Sequence, residues 1–175
     1  MSDGSDGAVH QWTVGGGLIL GDEGLLLVRN RRRDGSHDWS PPGGVIEAGE
    51  SLVDGLTREV VEETGVEVLG WDGPVYEVHV DAPEMGWRAH IEVHIARSYQ
   101  GDVRIDDPDG IVVDAAWVQP GSCEEQLAGC RRWVSEPLLT WLDASVVGTT
   151  PWPPRAFRYH LAGRDASTAS LTLLD

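Results

Sequence analysis

One sharply bounded amphipathic helix, set between alternating apolar and polar stretches, narrows the fold of this chain more than any other feature. It spans residues 51–65. Ser51 and Asp54 stand at capping-box spacing at its start, and Gly65 sits where a left-handed C-terminal cap belongs. Leu56, Val53 and Val60 fall on one arc and supply the stripe to be buried. Two strand candidates precede the helix, residues 11–20 and 25–29, split by a turn signal at 21–24. Residues 30–38 read as a polar, Arg-rich loop, and the TrpSerProProGlyGly segment at 39–44 is too rich in Pro and Gly to be helical. Beyond the helix, residues 75–81 and 89–96 alternate and read as a hairpin joined by 82–88. A strand at 111–118 precedes a helical region from Cys123 to about Leu142, which the Pro-rich ThrThrProTrpProPro segment cannot continue. A terminal hairpin is expected from residues 156–161 against 170–174. Strands on both sides of one helix predict a mixed α/β or α+β sandwich. It would form a single domain over residues 10–175, behind a flexible Gly/Ser/Asp-rich tail over 1–9.

Length and charge exclude several function classes. A chain of 175 residues is the size of one ordinary domain and buries a real core. With 41% hydrophobic and 24% charged residues it has the balance of a soluble globular protein. No apolar run approaches the roughly 20 residues needed to cross a bilayer. The acidic, polar N-terminus does not resemble a secretory or mitochondrial signal, so a cytoplasmic location and no membrane partner are expected. A net charge of −16 argues against binding long nucleic acid. It leaves room for a small phosphorylated ligand if metal ions supply local positive charge. Cys123 and Cys130 match no metal or redox spacing and read as ordinary buried or half-buried thiols.

The chemistry is concentrated on the helix. Glu59, Glu62 and Glu63 are spaced i, i+3, i+4, so the three carboxylates share an arc of roughly 100°. Stacking them costs a few tenths of a kcal/mol per pair in a bare helix. A divalent cation reverses that cost, because Mg²⁺ takes hard oxygen ligands from a few carboxylates, phosphate and water. The ordinary alternative is a solvated acidic face. Arg58 flanks Glu62 at i, i+4 and can pair with it. Just upstream, Glu47 and Glu50 add carboxylates, and Gly43 and Gly44 permit close backbone approach.

Residues 44–66 resemble the signature of the Nudix hydrolases, Gly-x5-Glu-x7-Arg-Glu-U-x-Glu-Glu-x-Gly-U, with U a bulky aliphatic residue. Gly44, Glu50, Arg58, Glu59, Val60, Glu62, Glu63, Gly65 and Val66 fill all nine specified positions, over about an eighth of the chain. The resemblance implies an α/β/α sandwich around a central mixed β-sheet. It also implies a loop–helix platform that holds Mg²⁺ or Mn²⁺ against a diphosphate. By position, Glu59, Glu62 and Glu63 would be metal ligands with Glu50 helping through the loop. Arg58 would orient the glutamates, and Gly44 and Gly65 would be structural. The implied reaction is hydrolysis of a pyrophosphate bond in a dNTP or NTP, ADP-ribose or a nucleotide sugar. Glu59 or Glu62 is the candidate base, or a residue outside the motif such as one in the acidic loop 106–110. A non-catalytic Nudix-like sensing or protein-binding domain is the alternative, and a homodimer is common in the family.

Outside the motif, Glu77, His79 and Asp81 alternate with apolar residues, as do His90, Glu92 and His94. If the two strands pair, these side chains share a sheet face that lines a substrate cavity, holds another ion or simply meets water. Arg29, Arg31, Arg32 and Arg33 are candidates for phosphate contacts, Arg31 and Arg33 foremost. Trp39 and Trp87 are candidates to stack on a base, or else pack at the core or its rim.

Overall fold

The computed structural model describes residues 9–146, 153–165 and 168–174. Most of the expected N-terminal tail and most of the Pro-rich segment lie outside the described residues. Two sheets sit between helices. The larger has six strands in the order β10-β9-β6-β7-β1-β5. In chain order these are β1 (His10–Leu18), β5 (Gly43–Val45), β6 (Glu67–Ala82), β7 (Trp87–Gln100), β9 (Arg155–Ala162) and β10 (Ser170–Leu174). The sheet is mixed: β1 runs parallel to β7 and β6 parallel to β9, while the remaining pairs are antiparallel. In the smaller sheet, β3 (Gly24–Arg31) pairs with β2 (Leu20–Gly21), β4 (His37–Ser40) and β8 (Val112–Val118).

Alternation along the strands sends apolar side chains to both faces. On one face Ile19, Leu26, Val66, Val68 and Trp71 bury against Leu56 and Val60 of α1 (Leu52–Thr64). On the other, Leu25, Leu27, Val78, Val80, Phe157 and Tyr159 bury against Leu138, Trp141 and Leu142 of α3 (Arg132–Val146). The result is the expected α+β sandwich with helices outside and a central mixed sheet.

Several local expectations shift. The supposed loop at 30–38 shrinks to residues 32–36, because Asn30 pairs with Asp38 and Arg31 with His37. Strand β6 starts at Glu67, eight residues earlier than its alternation suggested, since register shifts between Val68 and Tyr76 break the two-residue period. The helical region after Cys123 is split into α2 (Cys123–Gln126) and α3. Gly129, at φ +88°, lies in the break. The terminal hairpin forms, and β9 also joins β6 in parallel. Both thiols are free, Cys123 buried and Cys130 half-buried.

Within α1 the caps are as read: Ser51 Oγ accepts from the Asp54 amide, and Gly65 is left-handed at φ +73°. Val53, however, is 41% exposed. Its angular position on the helix suits burial, but it belongs to the first turn. Close contact with the preceding loop is made instead at Gly55, where a Cβ would stand 2.8 Å from Ile46.

Candidate active site

Helix α1 lies over β1 and β5 with its carboxylates turned toward the β5 loop. Space for this comes from glycine. A Cβ on Gly15 would stand 3.0 Å from Leu56 Cβ, and one on Gly17 would stand 2.7 Å from the Trp71 ring. The Trp71 indole N–H in turn donates to Thr57 Oγ1 at 3.0 Å and ties the helix to β6. A Cβ on Gly44 would fall into the Glu59 carboxylate itself. This explains glycine at that position: the backbone of β5 forms one wall of the carboxylate's pocket.

Arg58 organises the cluster. Its Nε and Nη2 donate to the two oxygens of Glu50 at 2.9 and 3.0 Å, and its Nη1 reaches Glu59 Oε1 at 2.9 Å and Glu62 Oε2 at 3.1 Å. A planar guanidinium serves three carboxylates at once, which a lysine could not do with this geometry. The Glu47 amide adds a bond to Glu50 Oε2 at 3.0 Å. Arg58 and that amide hold the Glu50 carboxyl down to about 2.

Glu63 sits differently. Its Oε2 accepts the Gly43 amide at 2.8 Å, and no arginine reaches it among the described contacts. Burial, reinforced by the charges of Glu59, Asp107 and Glu62, pushes its carboxyl up to about 8. Glu59 is likewise raised, first by burial, with Glu62 and Asp109 adding to the Arg58-opposed balance. One guanidinium is too little positive charge for so many carboxylates. The donor set is all hard oxygen, and that deficit is what a divalent ion of the Mg²⁺ class would satisfy.

The acidic loop faces this cluster. Asp107 accepts the amides of Asp109, Ile111 and Val112 and so shapes the turn, while Asp109 is exposed. Arg31 Nη2 donates to Gly110 O at 3.1 Å and anchors the loop from β3. Arg33 is exposed in the β3–β4 turn. Trp39 and Trp87 pack against the α3-side core.

The alternating strands pair as expected, His79 opposite His90 and Glu77 opposite Glu92. Glu92 continues in register to Gly15 and Gly44, so this row leads across the sheet to the pocket of Glu59. Glu77 Oε2 lies 3.1 Å from His90 Nε2 and 3.6 Å from His79 Nε2, and Glu92 Oε2 lies 3.3 Å from His94 Nε2. Burial, with the nearby His90 and Arg158 charges, lowers the His79 imidazole below its ordinary value.

Gly43, read from the sequence as permitting close backbone approach, supplies the amide for Glu63. The residues that sequence patterns missed are Gly15 and Gly17, which make room beneath α1. The run of three glycines at 15–17 was the available signal, since glycine inside a strand marks close approach.

Comparison with known proteins agrees with the geometry. A NUDIX domain model matches residues 9–142. The chain is 27% identical over 156 residues to an RNA pyrophosphohydrolase of Caulobacter vibrioides, covering 81% of this chain and 91% of that protein. It is 34% identical over 80 residues to an oxidized purine nucleoside triphosphate hydrolase of Mus musculus, covering 45% and 48% respectively. A solved mutator MutT protein from Bacillus halodurans superposes with a TM-score of 0.61 at 20% identity, over 93% of this chain and 97% of that one.

Proposed function

The chain belongs to the Nudix hydrolase family, and from that premise we propose that it cleaves a pyrophosphate bond in a nucleoside triphosphate, with Mg²⁺ or Mn²⁺ held by α1. ADP-ribose and nucleotide sugars are the related substrates. The observation that carries the metal assignment is the charge deficit at Glu59, Glu62 and Glu63: the first two share the Arg58 guanidinium with Glu50, and Glu63 has only the Gly43 amide. Support for pyrophosphate cleavage comes from the RNA pyrophosphohydrolase relative, and support for a triphosphate from the oxidized purine nucleoside triphosphate hydrolase. The net charge of −16 favours the free nucleotide over a long polyanion.

In this reading Glu59, Glu62 and Glu63 hold the ion. When bound, it neutralises phosphate oxygens and acidifies the attacking water. Arg58 fixes the Glu59 and Glu62 rotamers and touches no substrate. Glu50, with both oxygens engaged by Arg58, contributes through that arginine more than as a ligand. Glu59 or Asp109 takes the proton from the attacking water. Glu92, on the row that leads to Gly44, meets the nucleoside, with Arg31 and Arg33 nearer the phosphates. Trp39 is left to packing. Residues 10–175 act as one domain, and a homodimer is the expected assembly, which sedimentation would check.

The test is product analysis over dNTPs, an 8-oxo purine nucleoside triphosphate, ADP-ribose, sugar nucleotides, dinucleoside polyphosphates and 5′-triphosphorylated RNA. Cleavage of a triphosphate, abolished by EDTA and restored by Mg²⁺ or Mn²⁺, is the expected result. Full activity in excess EDTA would remove the ion from the reaction. Exclusive cleavage of ADP-ribose or a sugar nucleotide would replace the substrate assignment. Cleavage of none, with either ion, would favour a non-catalytic Nudix domain.

A further inference from the structure

The polar strip of β6 and β7 lies outside the glutamate helix and has chemistry of its own. Glu77, His79 and His90 each offer one donor atom, and the three atoms all lie within 4.8 Å of one another. The imidazoles are stacked, with centroids 4.5 Å apart and planes 8° from parallel. That stacking points both Nε2 atoms at the same carboxylate oxygen, at 3.1 and 3.6 Å. Bonds of about 2.0–2.1 Å in a tetrahedral zinc site place neighbouring donors about 3.4 Å apart. The two carboxylate–imidazole separations bracket that value. Each Nε2 lone pair lies in its own ring plane, so closing the three donors around an ion requires the stacked rings to turn out of parallel while the backbone stays in place.

We propose that Glu77, His79 and His90 form a second metal site, selective for a borderline cation of the zinc class and separate from the carboxylate platform of α1. Ligand type is the basis of selectivity. Two imidazoles and one carboxylate suit Zn²⁺, Co²⁺ or Ni²⁺, whereas the all-oxygen set on α1 suits Mg²⁺ or Mn²⁺. The two groups are carried by the same face of the same sheet, with β1 lying between β7 and β5. At the usual strand spacing Glu92 and Gly44 stand about 10 Å apart on that face.

No fourth donor joins the group among the described residues. Three protein ligands and one open position is the arrangement of zinc sites that bind an exchangeable ligand, whereas structural sites are closed. A cavity of about 470 Å³ adjoins the imidazoles and is lined in part by Thr13, His79, Arg88, His90 and Arg158. Arg158 stands opposite His79 in the β6–β9 register. Arg88 is paired with Asp81 at 2.7 Å. The Arg158 guanidinium opposes a further cationic neighbour and favours an anion, so the fourth ligand is water, hydroxide or an anion such as phosphate.

The test uses the full chain freed of metal with EDTA and desalted, titrated calorimetrically with Zn²⁺ in the presence of excess Mg²⁺. Wild type is expected to bind one equivalent at micromolar zinc or below that Mg²⁺ does not displace. Loss of an outer-shell partner alone typically costs about 10–100-fold in metal affinity. H79Q and H90Q should therefore each weaken zinc binding by ~10-fold or more, while E62Q keeps it. Thermal unfolding checks that each variant is folded, and having two independent histidine variants keeps the test open if one fails to fold. As a second readout, Co²⁺ should give tetrahedral d–d absorption in wild type and E62Q and lose it in both histidine variants. Zinc binding unchanged in the folded histidine variants, displacement of zinc by Mg²⁺, or no zinc bound at micromolar concentration would each overturn the assignment.

Discussion

The glutamate face of α1 and the histidine–glutamate strip of β6 and β7 occupy one face of one sheet, yet they solve opposite electrostatic problems. At α1 one guanidinium serves three carboxylates, Glu50, Glu59 and Glu62, and a fourth that it does not reach, Glu63, is pushed up to about 8. On the strip a single carboxylate, Glu77, is met by two imidazoles at 3.1 and 3.6 Å. The first region is short of positive charge. The second sets two nitrogen donors beside one carboxylate. The difference teaches that donor type and charge balance, more than the number of acidic residues, decide which cation a surface selects.

The sharpest way to break this comparison is to remove one negative charge from the helix. Glu62→Gln and Glu63→Gln should each lower kcat by roughly 100-fold or more, the scale for losing transition-state charge stabilisation. Folding should be retained, because neither side chain belongs to the apolar core beneath α1. Steady-state kinetics beside circular dichroism would show it. Near-wild-type turnover in both variants would end the metal-ligand assignment.

Arg58→Ala tests the clamp. Three carboxylates lose their common partner, so activity should fall and unfolding should shift by about 1–2 kcal/mol, discounted because the pairs are partly exposed. Arg58→Lys keeps the charge but not the fork, and should recover less than half of the lost activity. Denaturant titration and kcat/KM separate the two effects.

Gly44→Ala places a Cβ in the Glu59 carboxylate's space. Overpacking of this kind costs about 1–3 kcal/mol. Because the displaced group is a proposed ligand, the KM for Mg²⁺ should rise as well, which a metal titration of the initial rate would detect. Unchanged metal dependence would mean that Glu59 rearranges freely.

The smallest effect concerns pH. Glu63 has a folded value of about 8 against 4.5 for the free side chain. A raised acid binds more protons in the folded state, so its stabilisation is complete below about 4.5 and is lost as pH rises toward 8. The metal-free protein should therefore lose Tm over that range, and Glu63→Gln should flatten the slope. Glu50 has the opposite sign: lowered to about 2, it contributes above 4.5 and that contribution disappears as pH falls through 2. Differential scanning fluorimetry of wild type and Glu63→Gln in EDTA, from pH 5 to 9, tests the first part. Parallel slopes would count against a buried, like-charge-crowded Glu63.

Among the described residues no helix is long and apolar enough to cross a membrane. Most of the fold was legible in the sequence. Helix α1 was readable to within a residue because its caps and period are local, whereas the alternating stretch 89–96 marks only the middle of β7 (Trp87–Gln100). Val53 and the early start of β6 were not readable. Helical angle says nothing about whether a first turn meets a neighbour, and a bulged strand loses the period that identifies it.

For the two sites the division follows the length of chain that separates the donors. The sequence alone determined the α1 platform, because i, i+3, i+4 spacing converts directly into a shared face once the helix forms. It also determined the hydrolase family, through nine positions within one continuous stretch. Only the tertiary structure decided that Arg58 grips Glu50, that Gly43 caps Glu63, and that Gly44 leaves room for Glu59. It alone set His79 against His90, since the strands could have paired in another register with each side chain turned elsewhere. Local periodicity is written in the backbone geometry of every helix, whereas contacts between distant segments are selected by how the whole core packs.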